Sequence, residues 1–300
     1  RFEIGVQSTN DLTNELVKRK QNFAKLARTV TAIKRSGKIV QHLDLIAGLP
    51  MEDYSSFRKT FNDVFALEPE ELQLGFLKML RGTGLRRDAS KYGYIYMDQA
   101  PYEILGNDVL RFDDLLRIKR VEDILEKYWN AHRMDHTIRY LIKREFASPF
   151  DFFQEFGDYW EQRGWQKIGH QLEDLFIRLL EFLRHRKTPG MDHVIGLMKY
   201  DYFLQHKYKP RKIWWDFSVK KESFNRWIEW LAGHPEEVSK DFAALGAGLK
   251  ELHKHAMLEV LPFGLQDYLE HGRIEPNRPV VLFVYYDPAA QNPAKTYTVP

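Results

Sequence analysis

Glu3, Gln7, His42 and Asp44 are four polar side chains in two short segments whose spacing aims them at one wall. Phe2, Ile4 and Val6 alternate with Glu3, Gly5 and Gln7, the period of a strand with one apolar face. Residues 39–47 read as a second strand in which Leu43, Leu45 and Ala47 face covering helices and His42, Asp44 and Ile46 face the other way. Two carboxylates, an amide and an imidazole on that inner wall would cost on the order of several kcal/mol to bury unless water or a ligand satisfied them. Two readings stay open on periodicity alone: a polar binding site, or strand-end residues bonded to nearby loop amides.

The surrounding elements must supply the wall. Phe23, Leu26, Ala27, Val30 and Ile33 recur at helical spacing and stop at Ser36-Gly37. After Gly48-Leu49-Pro50, Asp53 caps a helix whose stripe is Phe57, Phe61, Val64 and Phe65, and residues 72–79 form a third strand. Strand, helix, strand, helix, strand with short loops predicts parallel βα units, whose ligands sit at the C-terminal ends of the strands, where Gln7 and Asp44 lie. Three strands do not close a barrel. From Arg111 onward helical patterns dominate: 114–132, 151–163, the Leu172, Leu175, Phe176, Leu179, Leu180, Leu183 stripe, and Phe224, Trp227, Ile228 and Leu231. Short strands are expected at 258–261, 280–283 and 296–299. The expected fold is α/β followed by mostly α, with domains at 1–110 and 111–300 and a small sheet at the end.

Composition bounds the partners. Lys plus Arg number 45 against 42 Asp plus Glu, and a net charge of +3 so well mixed implies neither a nucleic-acid nor a membrane partner. With no cysteine, the chain itself offers no disulfide, thiolate zinc site or cysteine nucleophile. The longest apolar run, 280–286, is far below the roughly 20 residues of a membrane helix, so a soluble, cytoplasmic protein is expected.

Gly5-Val6-Gln7, Arg19 twelve positions after Gln7, and Asp44-Leu45-Ile46-Ala47-Gly48-Leu49-Pro50 occur in the order and spacing of radical S-adenosylmethionine (SAM) enzymes of the coproporphyrinogen-dehydrogenase type. The first 110 residues or so resemble the C-terminal half of that family's partial (β/α)6 TIM-like barrel. The resemblance implies that Gln7 and Asp44 bind the ribose hydroxyls of SAM, that Arg19 holds its methionyl carboxylate, that Ile46 packs on the adenine, and that the backbone at Leu77 and Lys78 lies beside it. Glu3, His42 and Gln73 would face the substrate. Gly82-Thr83-Gly84-Leu85 resembles an element of cobalamin-dependent relatives, although alone it reads as a turn. The family's three cluster cysteines are absent. The chain is therefore expected to be an inactive fragment, with the 4Fe-4S ligands and any cobalamin site in a missing N-terminal part of the same protein, the whole cleaving SAM to a 5'-deoxyadenosyl radical and acting on an unidentified substrate. An incomplete sheet also predicts self-association through its open edge.

Other constellations are weaker. Met191-Asp192-His193 falls short of a cobalamin signature, and His193 reads as a helix or core residue. His132 with His136, and His253 with His255, lack a third ligand, so no metal site is expected. Lys207, Tyr208, Lys209, Arg211 and Lys212 run into Trp214 and Trp215, a mixture that would suit single-stranded RNA, although a solvated edge beside two buried indoles explains it as well. The rival reading of the whole chain is a non-catalytic interaction or RNA-binding helical module on a scaffold half barrel.

Overall fold

The structure is a computed structural model that describes residues 1–274 and 276–299. Two compact units divide it, residues 1–132 with 142–168 and residues 133–141 with 169–300. The division expected between residues 110 and 111 falls inside the first unit.

That unit contains β1 (Phe2–Gln7), α1 (Asp11–Leu16), α2 (Phe23–Ser36), β2 (Gln41–Ala47), α3 (Tyr54–Phe65), β3 (Glu71–Phe76), α4 (Gly84–Arg87), the two-stranded β4 (Ile95–Tyr96) and β5 (Ile104–Gly106), and α5 (Phe112–Leu125). The helix α6 (Asp135–Arg144) is shared between the units, and α7 (Pro149–Gln162) returns to the first. The strands β1, β2 and β3 make a parallel sheet in that order. Val6, Leu43, Leu45, Ala47, Leu72 and Leu74 are buried, whereas His42, Asp44 and Ile46 are half-buried and Gln73 is exposed. Alternation thus gives the sheet one apolar and one polar face. Phe2 departs from its expected place against the helices and is 47% exposed, because it opens an edge strand.

The helices start and stop where the side chains dictate. Asn22 accepts from Lys25 N–H at 2.8 Å and Asp53 from Ser56 N–H at 2.7 Å, satisfying donors at the starts of α2 and α3. Gly37 ends α2 in the left-handed conformation at φ +63°. Phe150 of α7 packs edge-on against Tyr54, Phe57 and Phe61 of α3 at centroid distances of 5.6, 6.5 and 5.4 Å. Residues 142–168 therefore share the core of the sheet-bearing unit. At Gly157 a Cβ would stand 2.8 Å from the Arg120 carbonyl oxygen, so only glycine allows α7 to come this close to α5.

The outer side of β3 is closed in two places. The Asn130 side chain accepts from Leu72 N–H and donates to Leu72 O, both at 3.0 Å, as a neighbouring strand would. Farther along, Met79 N–H bonds Tyr102 O and Ile104 N–H bonds Leu77 O. The expected strand over 72–79 therefore ends its ladder with β2 at Phe76 and turns to pair with residues 102–104. The opposite margin, along β1, has no further strand among the described residues.

The second unit holds α8 (Leu172–His185), α9 (Met191–Leu204), α10 (Lys221–Gly233), two single turns α11 (Pro235–Val238) and α12 (Lys240–Ala243), and α13 (Leu249–His255). It then runs through β6 (Ala256–Phe263), α14 (Leu265–His271), β7 (Pro276–Tyr286) and β8 (Ala294–Val299). The three strands form an antiparallel sheet in chain order, longer than the short strands expected at these places. Its core joins Ile228, Leu231, Phe242, Leu252, Leu258 and Phe283. Buried Asp201 of α9 accepts from Thr137 N–H at 2.8 Å and Thr137 Oγ1 at 2.6 Å, capping the start of α6. That cap ties residues 133–141 to the second unit. Among the described residues, no helix is long and apolar enough to cross a membrane.

Candidate functional site

Register fixes which predicted residues share a face. Gly5 pairs with Asp44 and Asp44 with Gln73, and the next rung on the same face, two residues back, is Glu3, His42 and Glu71. Partners on one rung point to the same side of a parallel sheet. The ladder slips between Gly5 and Gln7, and Gln7 adopts φ +69°. Such a bulge re-aims a side chain. Here Gln7 Nε2 stands 2.5 Å, and Arg19 Nη2 3.7 Å, from the place a Cβ on Gly5 would occupy. The amide thus lies over Gly5, on the face that carries Asp44, and the guanidinium stands beside it on the Gly5 carbonyl at the margin of β1. Gln7 Oε1 is buried and accepts no hydrogen bond.

Arg19 is held by the end of β1. Its guanidinium donates to Gly5 O, and Nε donates to Gln21 Oε1 at 3.0 Å, while Gln21 donates to Ser8 O at 3.1 Å. Burial raises the pKa of the Asp44 carboxyl, opposed by His42 and Arg1 and reinforced by Glu3. The remaining predicted residues spread outward. His42 bridges Glu71 through Nε2 at 2.7 Å and accepts from Arg1 through Nδ1 at 2.7 Å, leaving Glu3 exposed beside Arg1. Ile46 leans over Gly75, its Cγ1 3.8 Å from a Cβ placed there. Leu77 lies beside Gly48, and Lys78 is exposed in a bridge with Glu103. Gly82 and Thr83 make a turn, and Thr83 caps α4. The structure sets Gln7 and Arg19 side by side at Gly5, whose rung partners are Asp44 and then Gln73, and sets Leu77 and Lys78 beyond the last rung of β3.

Sequence reasoning passed over Glu52, which is fully buried directly behind Ser8. Its Oε1 accepts from Ser8 Oγ at 2.6 Å and Thr60 Oγ1 at 2.7 Å, and its Oε2 has no partner. This network anchors the residue next to Gln7. The available signal was a carboxylate two residues after Pro50, in the loop at the end of β2, with Ser8 at the end of β1. Burial above all, with a smaller push from Asp53, drives the Glu52 pKa up to about 6 against the two hydroxyl donors. A raised acid pKa means the folded state holds the proton more tightly, so this contribution is complete below the unfolded value near 4.5 and is lost as pH rises through about 6. The loss amounts to about 2 kcal/mol. In urea titrations, Glu52→Gln should gain about that much relative to the parent between pH 4.5 and pH 7.5. A difference independent of pH would refute the burial account.

In the second unit the aromatic run is used internally. Trp215 Nε1–H donates to the fully buried Glu259 at 3.0 Å, Lys199 Nζ reaches the same carboxylate at 2.8 Å, and Trp214 stacks on Phe176 at 5.9 Å. His193 packs edge-on against Phe263, and His136 against Tyr200. His253 is exposed and His255 half-buried. No group of three or more His, Cys, Asp or Glu among the described residues is arranged to hold a metal.

Residues 90–283 match a family model described as a protein of unknown function, DUF4080. The chain belongs to that family. The DUF4080 match starts after the segments that carry Gln7, Arg19 and Asp44, so it covers the helical part and leaves the candidate site outside it. No curated protein matches the chain. Among solved structures it is similar to the coproporphyrinogen III oxidase HemN from Escherichia coli, described as a radical SAM enzyme, at 13% identity and a TM-score of 0.25. The match covers 47% of this chain and 56% of that one, so the chain spans little more than half of its length. At that TM-score the match fixes neither fold nor reaction.

Proposed function

We propose that the first unit forms one wall of a SAM site in a radical SAM enzyme, the parallel sheet being the C-terminal half of its partial barrel. The observation that carries this reading is the Gln7 amide over Gly5, with the Arg19 guanidinium beside it on the Gly5 carbonyl and Asp44 as the rung partner of that glycine. Gln7 Oε1 is a buried acceptor in want of a donor, which a ribose hydroxyl provides. The Asp44 carboxylate suits a second hydroxyl, and the Arg19 fork matches a carboxylate once its bond to Gln21 is exchanged. Ile46 offers an apolar contact to an adenine ring, with the backbone of Leu77 and Lys78 farther along. Glu3, His42 and Gln73 line the same face toward a substrate.

When bound, SAM and a 4Fe-4S cluster would supply the radical chemistry. This chain's residues would bind and orient SAM, while the cluster ligands, being cysteines, must lie outside these 300 residues. The longer reading frame should encode C-x3-C-x2-C ahead of Arg1. With that protein reconstituted anaerobically, Asp44→Ala and Arg19→Ala should each lower 5'-deoxyadenosine formation roughly 10- to 100-fold, the loss of one or two charged hydrogen bonds. Unchanged product in both variants would remove the assignment.

A further inference from the structure

A cavity of about 400 Å³ opens in the second unit among Lys209, Phe217, Val219, Lys220, Lys221, Phe224, Met257 and Leu258. We propose that it binds a single-chain amphiphilic anion, an acyl or alkyl chain headed by a carboxylate or phosphate, independently of the SAM reading. Its floor is apolar and stays in place without a ligand, since Met257 and Leu258 are buried at 3% and 2% exposure on β6. Phe224 and Val219 form half-buried walls, and Phe217 stands 58% exposed at the rim. The size falls within the range of ordinary small-molecule sites.

The polar lining is cationic throughout. Lys220 and Lys221 have no carboxylate within ion-pair distance among the described residues, and Lys209 spends its ammonium on the His253 carbonyl at 3.1 Å and the face of Phe224 at 5.1 Å. Burial lowers the Lys209 pKa, in keeping with an ammonium that no anion compensates. The thirteen-residue helix α10 begins at this mouth with Lys220 as its N-cap and no side-chain cap bond, which adds unsatisfied N–H groups to the same electropositive rim. Apolar depth beneath an anion-seeking rim is the complement of a chain with an acidic head. A nucleobase fits less well, because no hydroxyl, amide or carboxylate side chain lines the cavity to read a base edge.

The test uses the full chain and four probes, dodecanoate, dodecyl phosphate and dodecyltrimethylammonium below their micellar concentrations and dodecanol below its solubility limit. Titration followed by calorimetry should give saturable one-to-one binding of the two anions, with dodecanol at least tenfold weaker and the cation weaker still. Lys220→Glu with Lys221→Glu, both exposed, should weaken dodecanoate binding tenfold or more while circular dichroism stays unchanged, and Phe217→Asp should do the same from the apolar side. Equal binding of anion and cation, or anion binding unaffected by all three substitutions, would overturn the site. So would binding of single-stranded RNA with none of dodecanoate. Co-sedimentation with phosphatidylglycerol vesicles would place the source of the ligand in a bilayer, and its absence would place it in the free amphiphile, the site being the same in either case.

Discussion

Glu259→Ala is expected to lower the stability of the second unit by about 3–5 kcal/mol, because it leaves the Lys199 ammonium without its buried partner. Glu259 sits on β6 with no exposed surface, and Lys199 is only 13% exposed, so water cannot take the lost carboxylate's place. The same oxygens also receive Trp215 Nε1–H and Ser218 Oγ–H, and Ser218 Oγ in turn accepts from Val260 N–H at 2.9 Å. One substitution therefore unpairs an ammonium, an indole and a hydroxyl that holds the strand margin. Urea unfolding followed by tryptophan fluorescence measures the effect, and a loss below about 1 kcal/mol would show that the pair is not closed to solvent. Replacing both partners, Glu259→Leu with Lys199→Met, should recover the part of the loss that comes from the unpaired ammonium, while the Trp215 indole and the Ser218 hydroxyl stay without their acceptor.

Phe150→Ala should cost the first unit about 3–5 kcal/mol. The ring touches Tyr54, Phe57 and Phe61 together, and all but the tyrosine are fully buried, so the removed volume has no flexible neighbour to fill it. Edge-to-face geometry adds to the area term. The backbone N–H of Phe150 is also fixed, by Asn62 Oδ1 at 3.0 Å, which keeps the start of α7 from sinking into the void. Phe150→Leu should cost less than half as much. A small loss for alanine in the same urea assay would mean that α7 packs on α3 less tightly than the centroid distances imply.

The sequence made the sheet legible because β1 and β2 alternate cleanly, and it placed α2 and α3 because Gly37 and Asp53 are unambiguous end signals. It could not reveal the bulge at Val6. The positive φ of Gln7 belongs to a residue type that rarely takes it, and nothing local marks it. Glu52 and Glu259 were hidden for a common reason. A charged residue is buried only when distant partners receive it, and those partners, Thr60 beside Ser8 in one case and Lys199 in the other, are set by the fold rather than by spacing. The expected helix over 114–132 instead begins two residues earlier, at Phe112, and loosens into a π turn over 126–130, whose wider winding belongs to the segment that presents Asn130 to β3. Trp214 and Trp215 carried an ambiguous signal, and packing against Phe176 and Glu259 puts both indoles to internal use.

The Asn130 carboxamide that clasps Leu72, with residues 102–104 farther along, gives the three-stranded sheet a direction of growth. A newcomer alongside β3 would have to evict both occupants, whereas β1 has no strand on its free side among the described residues and its Gly5 carbonyl is taken by the Arg19 guanidinium. Any enlargement of this sheet is thereby steered to the margin of β1, the strand that carries Gln7.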